Sequence, residues 1–199
     1  MKSNVCKIEK GTRDLEAILK EGQKVAVYNE LTHKQSLQLR LLCEEIDGML
    51  PNIMDDFDGD FWIEFEDGVC KVNVVVRLEE FSVEKKEALI RVAGNKKNAA
   101  AVGIVGKIRS GIENIFLDDN AFSVSLMAAE SFQMNTGYTS GAEFSYLWSL
   151  EEYRKSVKKE EQAEAWDELE KSVIASVADD VIVGVKGKQA HITVVKKFA

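Results

Sequence analysis

The sequence predicts an α+β protein: a two-layer sandwich whose mixed, mostly antiparallel sheet carries helices on one face. Three observations lead there. Apolar residues recur at helical spacing over 39–53. Apolar runs of period two come in pairs joined by short turns. Helical stretches lie between those pairs, an order that disfavours parallel βαβ winding. Helix-then-hairpin recurs at 33–78, 99–148 and 163–196, without a residue-level repeat.

Asn4 to Ile8 reads as a short first strand, and Leu15 to Asn29 as a helix broken or bent near Gly22. Thr32 fits an N-cap. The helix after it carries the stripe Leu39, Leu42, Cys43, Ile46, Met49, Leu50 and Ile53. Pro51 lacks an N–H and crowds the carbonyl four residues back, so a kink or stop is expected. Asp55 to Gly59 reads as a turn cluster. Asp60 to Glu66 alternates, with Phe61, Ile63 and Phe65 on one face. Asp67-Gly68 is a tight-hairpin dipeptide. Val69 to Leu78 returns, with Val72, Val74 and Val76 in period two.

Ser82 to Ala93 and Ala99 to Phe116 read as helices, interrupted at Gly94 to Asn98. Asp118 to Asn120 is a loop. Phe122 to Met127 and Ala142 to Trp148 read as strands. Leu150 to Gln162 is dense in charge, a solvated helix or linker. It divides the chain into 1–149 and 150–199. Beyond it, Trp166, Leu169, Val173 and Val177 mark an amphipathic helix. A turn at 186–188 then joins Val181–Val185 to His191–Val195. Residues 150–199 thus read as an appended helix–hairpin packed on the first domain.

The chain has 199 residues, enough for one sizeable domain or a domain with an added unit. Its 45% hydrophobic and 30% charged content is ordinary for a globular protein. A net charge of -8 argues against general affinity for nucleic acid or anionic membrane. The first ten residues lack the apolar core of a signal peptide, and no apolar run approaches the roughly 20 residues of a bilayer span. The 3 cysteines, Cys6, Cys43 and Cys70, are widely spaced and odd in number. They form neither a disulfide framework nor a metal motif, so a reduced, cytoplasmic setting is expected.

Glu44 and Glu45 are the first chemical candidates. A glutamate beside an apolar stripe can act as a general base when burial raises its pKa. Solvated positions on a helix flank are the plainer reading of both. Asp56, Asp58 and Asp60 fit alternate ligands of a calcium loop, but Phe61 and Asp67 stand where its glycine and glutamate belong. Gly94 to Lys107 carries glycines and lysines that could cradle phosphate. Ala101 and Ile108 depart from the P-loop pattern. The serine of Gly137-Tyr-Thr-Ser-Gly141 is one position off a nucleophile elbow. His33 and His191 read as surface or interface residues, and Trp62, Trp148 and Trp166 as core or contact residues.

Taken in order, Asp14 to Ile53 resembles the opening of the GHKL ATPase superfamily, most nearly the bacterial anti-sigma-factor serine kinases. Leu39-Arg-Leu-Leu-Cys-Glu-Glu45 is similar to the signature helix, and the strand pair over 60–78 follows as in the family. Gly141-Ala-Glu-Phe144 looks like the family's Gly-Thr-x-Phe. The likeness covers about residues 4–149. It implies a bacterial regulatory protein of histidine-kinase-like ATPase fold, with ATP and magnesium as ligands and Glu45 as the activating carboxylate.

Several positions depart from that pattern. Met49 stands where the family has its magnesium-binding asparagine, and Asn52 is the nearest replacement. Glu79 and Glu80 occupy the region of the adenine-reading Asp-x-Gly-x-Gly, without its glycines. Gly103 and Gly106 stand for the lid glycines. A second mapping gives the family's last helix and hairpin to 163–196, with 95–160 inserted.

The resemblance with these changes implies a degenerate regulatory protein acting through a protein partner, with weak or absent ATP binding. No protein metal site, nucleic acid or membrane is expected, and a homodimer is compatible with the sequence. The alternatives are an active ATP-dependent serine/threonine kinase and a purely structural interaction module.

Overall fold

Six strands form one sheet in the computed structural model, which describes residues 1–9, 11, 14–53, 57–77, 104–109, 112, 146–157, 172–186 and 189–198. They are β1 (Cys6–Glu9), β2 (Asp58–Glu66), β3 (Val69–Arg77), β4 (Tyr146–Ser149), β5 (Asp180–Lys186) and β6 (Gln189–Lys197). Helices α1 (Leu15–Tyr28) and α2 (His33–Ile53) lie between β1 and β2. Short helices α3 (Leu150–Ser156) and α4 (Val173–Val177) lie between β4 and β5, and residues 104–109 are also helical. The strand order is β1-β2-β3-β6-β5-β4, with every neighbouring pair antiparallel.

Local chemistry accounts for the α1–α2 hairpin. Asp14 caps α1 by accepting from the Ala17 N–H at 2.9 Å. At the other end, Leu31 N–H donates to the Ala26 carbonyl and Glu30 N–H to the Val27 carbonyl. Glu30 sits at φ 54 between them. This is a Schellman cap with a glutamate in the left-handed position that glycine usually fills. Thr32 and Gln35 then form a capping box: Thr32 N–H donates to Gln35 Oε1 at 2.9 Å, and Gln35 N–H donates to Thr32 Oγ1 at 3.4 Å.

α1 runs unbroken through Gly22, contrary to the expected bend. A Cβ at Gly22 would meet Cys43 Sγ at 3.3 Å and Ile63 Cδ1 at 3.8 Å. The glycine therefore serves close packing of α1 on α2 and β2. Pro51 lies within α2, which the described residues follow to Ile53.

All seven residues of the predicted α2 stripe are buried. They share one core with Phe61 and Ile63 of β2, Val72, Val74 and Val76 of β3, Ile192 and Val194 of β6, and Val181 and Val183 of β5. Each such side chain contributes roughly 1.5–3 kcal/mol on leaving water.

Asp58 and Gly59 belong to β2, not to a turn. A Cβ on Gly59 would collide with the Val75 carbonyl oxygen, which explains a glycine inside a strand. Asp67 and Gly68 form the expected two-residue turn, at φ 49 and 76.

The C-terminal hairpin is not an appendage to the sheet. β6 pairs with β3 from Val69↔Lys197 to Arg77↔Gln189, so β5 and β6 are inner strands. Of the two strands expected to close the sheet, 122–127 lies outside the described residues. The other is β4, an edge strand beside β5. The helix expected over 82–93 also lies outside the described residues, as do most of 99–116 and all of 163–171.

The N-terminal segment continues the opposite edge. Cys6 faces Phe61, but Lys2 faces Glu64, so one extra residue is accommodated between them. That offset is a β-bulge at Asn4–Val5.

Candidate functional site

α2 carries the residues that the resemblance selects. Glu45 is half-buried on its flank. Among the described residues its carboxylate has no hydrogen-bond or ion-pair partner. Glu44 accepts from Arg40 Nε at 2.9 Å, an exposed i,i+4 pair.

Met49 is 6% exposed and belongs to the core. Asn52 is exposed, and its amide nitrogen donates to the Gly48 carbonyl of its own helix at 3.2 Å. The Asn52 carbonyl accepts from Arg109 Nη1 at 3.3 Å. Met49 does not fit magnesium, which demands hard oxygen ligands. It offers only a buried thioether, while the Asn52 amide nitrogen is engaged with its own helix.

Gly106 is buried within the helical turns at 104–109. Glu79, Glu80 and Gly103 lie outside the described residues, as do Gly94–Asn98 and Gly137–Gly141. Among the described residues no group of three or more His, Cys, Asp or Glu side chains is arranged to hold a metal ion.

Other nucleophile and base candidates are quiet. Burial pushes the Cys70 thiol up to about 12 and raises Cys43 further, with the neighbouring Cys70 adding to the effect. Cys6 is raised by burial and then by Glu21 and Asp14. None of these thiols is poised as a thiolate at neutral pH. His191 sits half-buried in β6, its pKa lowered by burial and by Lys186. It is therefore neutral at pH 7. His33 is the exposed first residue of α2.

Two acidic residues missed in the sequence hold the structure together. Glu21 is 7% exposed on α1. It accepts from Asn4 N–H at 3.1 Å and Asn4 Nδ2 at 3.3 Å, and binds Lys24 Nζ. Burial opposes its charge, but these partners outweigh burial and its pKa is lowered. Asp180 is 8% exposed and accepts from Ser149 Oγ at 3.2 Å and Glu151 N–H at 2.9 Å, joining β5 to β4 and α3. Glu21 could have been found because it falls in phase with Ile18, Gly22 and Val25 on the apolar stripe of α1.

Comparison with protein-family models, with curated proteins and with solved structures gave no match. No described helix is long and apolar enough to cross a membrane.

Proposed function

We propose that this chain is a regulatory module of GHKL-like fold that works through a protein partner and binds magnesium-ATP weakly or not at all. One observation carries the reading. Met49 is packed into the core at the position four residues after Glu45, where the resembled kinases need a magnesium ligand. Rotating that side chain toward a nucleotide would remove it from the apolar cluster and still offer only sulfur. Asn52, the nearest substitute, is turned onto Gly48. The inner position of β5 and β6 favours the mapping in which 163–196 supply the family's last helix and hairpin.

Equilibrium dialysis against millimolar magnesium-ATP tests the nucleotide half of the proposal. The regulatory reading predicts no retained nucleotide. Retention, together with phosphotransfer that Glu45→Gln abolishes while sparing the binding, would establish the kinase alternative instead.

A further inference from the structure

Residues 1–9 lie as a strap along the edge of β2 that faces away from β3. Phe65 N–H donates to the Met1 carbonyl and Ser3 N–H to the Ile63 carbonyl, both at 2.8 Å. After the bulge, Cys6 to Glu9 pair with Phe61 back to Asp58. Little apolar surface holds this strap down. Ile8 is 1% exposed, Cys6 is half-buried, and Val5 is 52% exposed. β2 behind it is anchored far better, with Phe61 and Ile63 fully buried and β3 paired along its whole length.

The other contacts of the strap are polar. Lys2 Nζ lies 3.3 Å from Glu64 and 4.7 Å from the centre of the Trp62 ring. Lys7 Nζ lies 2.6 Å from Asp60. Asn4 gives its backbone N–H and its side-chain amide to Glu21. Carboxylates of β2 and α1 thus line the edge, and the strap meets each with a donor. Exposed ion pairs hold weakly, and a bulge splits the ladder into two short pieces. Such an edge opens before the rest of its sheet.

We infer that residues 1–9 are a displaceable strap, and that the β2 edge beneath them takes an extended basic segment of a partner protein by strand addition. The inference deepens the regulatory reading, since it names how that partner is held. The strap occupies the edge as a ligand would, so its contacts define what is recognised. Backbone pairing supplies affinity, and alternate side chains supply specificity. Glu64 and Asp60 lie four residues apart on one face of β2, and Ile8 directly follows Lys7. A fitting segment therefore carries two cations four residues apart, or five with a bulge, and an apolar residue straight after the second. A second copy of this chain suits the edge less well, because two molecules of charge -8 repel on close approach.

Hydrogen exchange of the full chain reads the opening. The amides of Ile63 and Phe65, which donate to Ser3 Oγ and the Met1 carbonyl, should exchange together and about a hundredfold faster than those of Val72 and Val74 in β3. Equal protection would overturn the strap. A fluorescent peptide copying residues 1–9 probes the edge in trans. Ile8→Ser in the full chain loosens the strap and leaves β2 intact, so this variant should bind the peptide about tenfold more tightly than the parent does, read by anisotropy. The peptide carrying Lys2→Glu and Lys7→Glu should not bind. Failure of the folded Ile8→Ser chain to take the peptide, or equal binding of the charge-reversed peptide, would overturn the proposal. So would a dimer of the parent that the peptide dissolves, since the occupant would then be a second copy. Peptide binding by a chain that also retains magnesium-ATP would sustain the strand site and defeat the regulatory reading alone.

Discussion

Glu30 ends α1 in a conformation that costs an L-residue roughly 1–2 kcal/mol. Its N–H and that of Leu31 close the Schellman cap, so the backbone needs this geometry whatever the side chain. Glycine removes the steric cost but adds unfolded-state entropy. Glu30→Gly should therefore stabilise the protein by about 0.5–1 kcal/mol in denaturant titrations, with an unchanged m-value. An equal or lower midpoint would contradict the assigned cap. The residue scale also shows what pattern reading recovers. The α2 stripe, the Thr32 cap and the Asp67-Gly68 turn rest on local chemistry and were all legible. Gly22 and Gly59 were not, because each glycine is explained by a neighbour distant in sequence: Cys43 and Ile63 for one, the Val75 carbonyl for the other.

At the scale of elements, the edge strand β1 and the bulge before it depend on α1. Glu21 reaches the bulge at Asn4 from the buried side of the helix. Its folded pKa lies below the ordinary glutamate value. The stability from this link is thus fully present above the unfolded value and is lost as pH falls through the folded one. Glu21→Gln should lower the melting temperature at neutral pH and flatten its fall below about pH 4.3, the unfolded glutamate value. A variant as acid-sensitive as the parent would rule out Glu21 as the titrating latch. Sequence reading passed over this glutamate because charged residues are seldom buried. Its phase with Ile18 and Val25 was the available signal. Of the candidate site, the flank position of Glu45 was legible. The inward fate of Met49 was also readable from the stripe, whereas the turn of Asn52 onto Gly48 depends on the helix continuing past Pro51.

For the whole molecule, the decisive feature is that the first and last parts of the chain share one sheet. Strand order is not encoded in local periodicity. A terminal hairpin with ordinary turn chemistry therefore reads as an added unit even when it pairs with β3. Removing residues 150–199 would strip β3 of its partner over nine register positions and leave its apolar row uncovered. The fragment 1–149 should accordingly lack a cooperative melt and aggregate. A soluble fragment with a sharp transition would contradict the inner position of the hairpin.

The proposed regulatory function rests on Met49 being a core residue and not a metal ligand. Melting the full chain with and without millimolar magnesium-ATP tests that most directly. The regulatory reading predicts superimposable curves. A ligand at about 100 times its Kd would add about 2.7 kcal/mol, so an upward shift that depends on magnesium would contradict it.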